Sequence, residues 1–192
     1  MSDTTHTLPL PRLVRLPRTA LVATASAVAG AIAVTLVLAL LSSGGATKPA
    51  SPARYTAPGN AFSVALPAGW RALESKALSA VPSKPSAVLR RADHRGLVVI
   101  DAIAPVKADA RALTATLTKQ LRRRFTGFKL TGARLVPLHG GTAYLYTFVR
   151  GATVQSIAVA TARGQTYAID AVVPGNAPDV ARQVGRIVAS FR

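Results

Sequence analysis

The sequence predicts an α+β domain with a mainly antiparallel sheet, carried behind one N-terminal transmembrane helix. Three observations predict it. Residues Ala20 to Leu41 carry no charge. From Ala61 onward, apolar residues recur with strand and helix periods in the order three strands, helix, four strands, helix. The later strands are separated by Gly140-Gly141, Arg150-Gly151 and Arg163-Gly164, connections short enough to be antiparallel hairpins.

The span comes first in the chain. Twenty-two residues at about 1.5 Å rise give roughly 33 Å of helix, enough to cross a hydrocarbon core of about 30 Å. The h-region of a cleavable signal peptide is shorter, about 7–15 residues, which favours a retained anchor. Residues 1–19 form a basic tail in which Arg12, Arg15 and Arg18 face only Asp3, so this side is expected in the cytoplasm and the rest outside. Gly44-Gly45-Ala46 supplies the alternative, cleavage near Ala46 to release a secreted product. Residues 42–60 hold three glycines and three prolines, and read as a flexible tether.

The outer domain is expected over residues 61–192. Phe62 to Leu66 alternates as a strand, and Pro67-Ala68-Gly69-Trp70 turns the chain. Residues 86–91 and 97–104 are the next strands, joined by Asp93-His94-Arg95-Gly96, while Pro82 and Pro85 confine any helix in residues 71–85 to a turn or two. A helix over residues 109–125 places Leu113, Leu117, Leu121 and Phe125 on one stripe, with Asp109 as its cap and Arg122, Arg123 and Arg124 at the end that favours cations. Strands follow over residues 129–137, 143–149, 153–161 and 166–173. The closing helix starts after Pro174-Gly175 with Asn176 as candidate cap; Val180, Val184, Ile187, Val188 and Phe191 mark its buried face.

That order, opened by Phe62-Ser63-Val64-x-Leu66-Pro67-x-Gly69-Trp70, resembles the PsbP-like superfamily and its bacterial, membrane-tethered relatives. The resemblance covers about residues 61–192 and includes the late hairpins and the closing helix that ends in Phe191. It implies an α/β/α sandwich, an extracytoplasmic location and a role in binding protein partners rather than catalysis. It carries over no functional residue, because no metal- or photosystem-contacting motif is matched in this chain.

The chain has 192 residues, 24 Lys+Arg against seven Asp+Glu, and no cysteine. The missing cysteine excludes a disulfide scaffold, a zinc–thiolate site, an iron–sulfur cluster and a thiol nucleophile. No phosphate-cradling glycine loop or metal-ligand spacing is present, so neither cofactor nor metal is expected. A nucleophile–histidine–acid set can be assembled on paper from Ser63 or Ser156, His139 and Asp170, the basis of an alternative reading as a weak hydrolase. No G-x-S-x-G elbow accompanies it.

Two surface features are candidates for binding. Arg122, Arg123, Arg124, Lys129 and Arg134 could form a patch for anionic lipid or envelope polyanions; the competing reading is an arginine-rich solvated surface. Tyr144, Tyr146 and Phe148 share one strand face, either as a strip that receives a ligand or as core beneath a helix; Trp70 has the same two readings, with packing preferred for both. A specific nucleic-acid partner is not expected of an outward-facing domain whose basic runs carry few aromatics. The expected function is therefore a single-pass, anchored, non-enzymatic binding protein of the bacterial cell envelope, its partners the membrane and an envelope protein.

Overall fold

The computed structural model describes residues 53–74, 78 and 85–192. The basic tail, the span over residues 20–41 and most of the tether lie outside the described residues. Among the described residues no helix is long and apolar enough to cross a membrane.

The domain starts earlier than its composition suggests. Ala53–Thr56 form strand β1, paired antiparallel with β2 (Ser63–Leu66), so residues 53–60, expected as part of the tether, belong to the fold. The correction has a physical cause. Gly59 at φ 65° and Asn60 at φ 55° turn the chain tightly, and the Ala57 amide donates to the Phe62 carbonyl at 3.0 Å. A stretch that looked too polar to order itself is ordered by its neighbour.

Seven further strands make one antiparallel sheet: β3 (Trp70–Ala72), β4 (Ala87–Arg91), β5 (Leu97–Ile103), β6 (Lys129–Leu138), β7 (Gly141–Arg150), β8 (Thr153–Ala162) and β9 (Gln165–Pro174). Their spatial order is β3-β4-β5-β9-β8-β7-β6. The three expected hairpins are present; in the last, Arg163 and Gly164 take φ 49° and 79° between Ala162 and Gln165. β3 was not expected. At three residues it is too short to show a period, and Pro67-Ala68-Gly69 masks its start.

Helix α1 (Ala110–Arg124) carries the chain from β5 in the middle of the sheet to β6 at its edge. Asp109 caps it as expected, accepting from the Ala112 amide at 2.7 Å. Helix α2 (Pro178–Ala189) follows β9. Its cap is Ala177, which makes no side-chain bond, so Asn176 does not cap this helix; Pro178, needing no amide partner, opens it instead.

The helices cover opposite faces of the sheet. On β9, Tyr167, Ile169, Ala171 and Val173 join Val180, Val184, Ile187, Val188 and Phe191 in one core. Ala168, on the other side of the same strand, joins Leu113, Leu117 and Leu121 of α1 in a second core. β2 rides on the end of α2: Ser63 and Arg192 exchange backbone bonds of 2.8 and 3.2 Å, and the Ser190 hydroxyl accepts from the Ala65 amide at 2.7 Å. The layers are thus helix, sheet, helix.

Candidate functional site

The aromatic strip is core. Tyr144, Tyr146 and Phe148 are buried under α1, with Tyr146 and Phe148 fully so. Thr114 and Thr118 of α1 stand four residues apart and meet the two tyrosine hydroxyls, Thr118 reaching Tyr146 at 2.9 Å. Each threonine hydroxyl also donates to the carbonyl four residues back, at 2.6 and 2.7 Å, so each tyrosine is the donor in its pair. Phe125 and Phe128 close over Phe148 with centroids 6.5 and 5.2 Å away, and the Arg150 guanidinium caps Phe125 at 4.5 Å. No face of the strip is left for a ligand, which corrects that reading.

Trp70 packs as preferred. It is 6% exposed, and its indole N–H donates to Gln183 of α2 at 2.7 Å. Gly96 makes room for it, since a Cβ at that position would stand 2.7 Å from the Trp70 ring and 2.9 Å from Val180.

The five basic residues are all exposed but do not gather on one face. Arg122, Arg123 and Arg124 end α1. Lys129 pairs with Val149 and Arg134 with Leu145, and cross-strand partners share a face. Leu145 belongs to the α2 side, so Lys129 and Arg134 point away from the α1 side. The single patch expected from the sequence is divided by the sheet edge.

The hydrolase set does not assemble with Ser156. Ser156 pairs with Ala171 on the α2 side, whereas Asp170 pairs with Ile157 on the α1 side, so the sheet separates hydroxyl from acid. Ser63 is occupied by Arg54 and Arg192, and His139 is exposed, its backbone amide donating to Ala189 at 2.9 Å.

Asp170 is instead a buried acid with no exposed surface. Gln155 Nε2 donates to both its oxygens, at 2.9 and 3.0 Å. Burial outweighs that donor, and with Asp101 nearby it pushes the Asp170 carboxyl up to about 7. Burial likewise raises Asp101 to about 6. On the same face Arg90 is 5% exposed, its pKa lowered by burial and then by Arg71. Among the described residues no group of three histidines, cysteines or acids could hold a metal.

One open feature was missed by the sequence reading. At the end of the α2 side, Arg54, Thr56, Asn60, Phe62, Ser63, Arg163 and Arg192 line a cleft of about 480 Å3. Arg54 Nη1 donates to the Ser63 hydroxyl at 2.8 Å and Arg192 Nε to the same oxygen at 3.3 Å. The lining comes from the β1–β2 hairpin, the β8–β9 turn and Arg192, three residues past α2, places far apart in sequence.

No protein-family model and no curated protein sequence matches the chain. Solved structures do. The solution structure of the cyanobacterial PsbP from Synechocystis sp. PCC 6803 is similar with a TM-score of 0.55 and 20% identity, covering 80% of this chain and 98% of that one. The fold is PsbP-like. The Ran-binding protein Mog1p of Saccharomyces cerevisiae is similar with a TM-score of 0.53 and 14% identity, covering 74% of this chain and 95% of that one. A Mog1 variant gives 0.51 and 14%, with 74% and 96% covered. At these identities the PsbP-like likeness shows the fold alone.

Proposed function

We propose that this chain is a single-pass, membrane-anchored interaction protein of the bacterial cell envelope, its PsbP-like domain held outside the membrane and acting by binding rather than catalysis. The observation that carries the reading is the sequence order: an uncharged 22-residue stretch flanked by Arg12, Arg15 and Arg18, a short Pro/Gly/Ser segment, then one folded domain. The separation of Ser156 from Asp170 supports the non-catalytic part, since it removes one paper version of the triad. The resemblance to a Ran-binding protein of the same fold agrees with an interaction role in general.

Cell fractionation with protease protection tests this. The full-length chain should enter the soluble phase only with detergent, and protease added to intact, outer-layer-permeabilised cells should digest the domain. Full-length chain in the detergent-free soluble fraction, or a domain cut only after lysis, rejects the anchored, outward-facing reading. A shortened soluble product beginning near Thr47 instead assigns the alternative, secretion after cleavage.

A second reading rests on Arg122, Arg123 and Arg124, exposed together at the end of α1, as a contact for anionic lipid or envelope polymer. Arg122→Glu with Arg123→Glu should abolish salt-sensitive retention of the chain on an anionic polymer matrix. Retention unchanged by the substitutions or by salt removes this reading.

A further inference from the structure

We propose that the cleft lined by Arg54, Ser63, Arg163 and Arg192 binds a phosphate monoester. The proposal does not depend on where the domain is located. Three guanidinium side chains line one opening, none of the lining side chains is acidic, and among the described residues none of the three guanidinium groups forms an ion pair, while the Arg192 main-chain oxygen is taken up by the Ser63 amide at 2.8 Å. Three like charges around a shared concavity repel one another, and a dianion between them reverses that repulsion. The arginine fork matches the geometry of phosphate oxygens, which favours phosphate over a single carboxylate here.

Ser63 sharpens the assignment. A hydroxyl has two acceptor positions and one donor. Arg54 and Arg192 both donate to its oxygen, at 2.8 and 3.3 Å, so the Ser63 proton is left to be donated to a ligand. The backbone exchange between Ser63 and Arg192 fixes both residues before any ligand arrives. Thr56 and Asn60 add further polar groups to the rim.

Arg163 supplies an independent sign. It is held at φ 49° in a turn position that suits glycine or asparagine, at a cost of about 1 kcal/mol or more to an ordinary side chain. The turn thus places a cation at the cleft against its own backbone preference. The volume of about 480 Å3 falls within the range of about 300–1,000 Å3 typical of small-molecule sites, larger than one phosphate needs. The space left beyond the phosphate takes the organic part of an ester, beside the exposed Thr56 and Asn60. Such a monoester is either a soluble metabolite or the headgroup of phosphatidic acid.

The full chain in neutral detergent micelles tests the site through its melting temperature, because a ligand that binds only the folded state raises it. One arm adds glycerol 3-phosphate, with glycerol as control; the other dopes the micelles with phosphatidic acid, with phosphatidylcholine as control. A saturable rise is expected with a phosphate probe and not with its control. A rise with glycerol 3-phosphate assigns a soluble ester, and a rise with phosphatidic acid alone assigns a lipid headgroup. Arg163→Asn and Arg192→Gln should each weaken the binding by about tenfold or more, and together abolish it. Asparagine suits the turn and residue 192 is exposed, so the unliganded melting temperature should hold. No rise in either arm overturns the proposal. So does a rise that survives the double substitution, or one lost instead through Arg122→Glu and Arg123→Glu.

Discussion

The two faces of the sheet carry helices of 15 and 12 residues, yet exclude water in different ways. The α2 side is apolar and aromatic within: Phe62 stacks on Phe191 at 5.4 Å and meets Tyr167 edge-on at 5.0 Å, and Trp70 is latched to Gln183. The α1 side buries hydroxyls and ionisable groups as well, with Tyr144 and Tyr146 matched by threonines and Asp170 held by Gln155. One face is dry and opens at its end into a basic cleft. The other is sealed and keeps an acid inside. The difference teaches that an aromatic row or an acid in a strand says little about binding until the cover over it is known.

The largest expected effect would break the sealed face. Phe148→Ala removes a fully buried ring that touches Phe125, Phe128 and Tyr146, and should cost about 3–5 kcal/mol of stability in urea unfolding. A cost near zero would mean that α1 does not seal the strip.

Asp170→Asn sharpens the same face in the opposite direction. The wild-type carboxyl rises from an ordinary 3.8 to about 7 on folding. Below about pH 4 it is neutral in both states and costs nothing. Between pH 4 and 7 the unfolded chain ionises while the folded one holds its proton, so stability falls as pH rises; above 7 the loss is complete. Asp101, raised to about 6, adds a smaller loss of the same sign. Asparagine can keep the Gln155 contact after that amide turns over. The variant should therefore be more stable than wild type by about 2–4 kcal/mol at pH 8, the gap closing toward pH 4. Denaturant midpoints of both proteins at the two pH values check this, and a gap that widens on acidification contradicts it.

The smallest effect probes the dry face. Gly96→Ala pushes a methyl to within 3 Å of both Trp70 and Val180, and should cost about 1–3 kcal/mol with a shift in tryptophan emission. An unchanged emission and midpoint would mean that the indole has room to move and that this face is looser than its contacts suggest.

Most of the fold was legible because its signals are local. The turn pairs Arg150-Gly151 and Arg163-Gly164 sit at the ends of long strands, and Leu113, Leu117 and Leu121 of α1 recur every four residues behind an Asp cap. β1 and β3 were not, being four and three residues long and held by partners rather than by any pattern of their own. The Gln155–Asp170 contact lay within reach, since the Arg163-Gly164 turn fixes the β8–β9 register and sets the two one step apart on the same face. The cleft was beyond reach. Arg54, Arg163 and Arg192 converge only after the hairpin, the turn and the end of α2 have docked, and an excess of arginine hides which three matter.

The β1–β2 ladder also has a mechanical meaning. A pull on the chain ahead of Ala53 loads that ladder at its Ala53–Leu66 end and unzips it rung by rung, while the seven-stranded sheet behind it stays intact. Because Arg54 is on the second rung, tension withdraws its guanidinium from the Ser63 hydroxyl early in that unzipping.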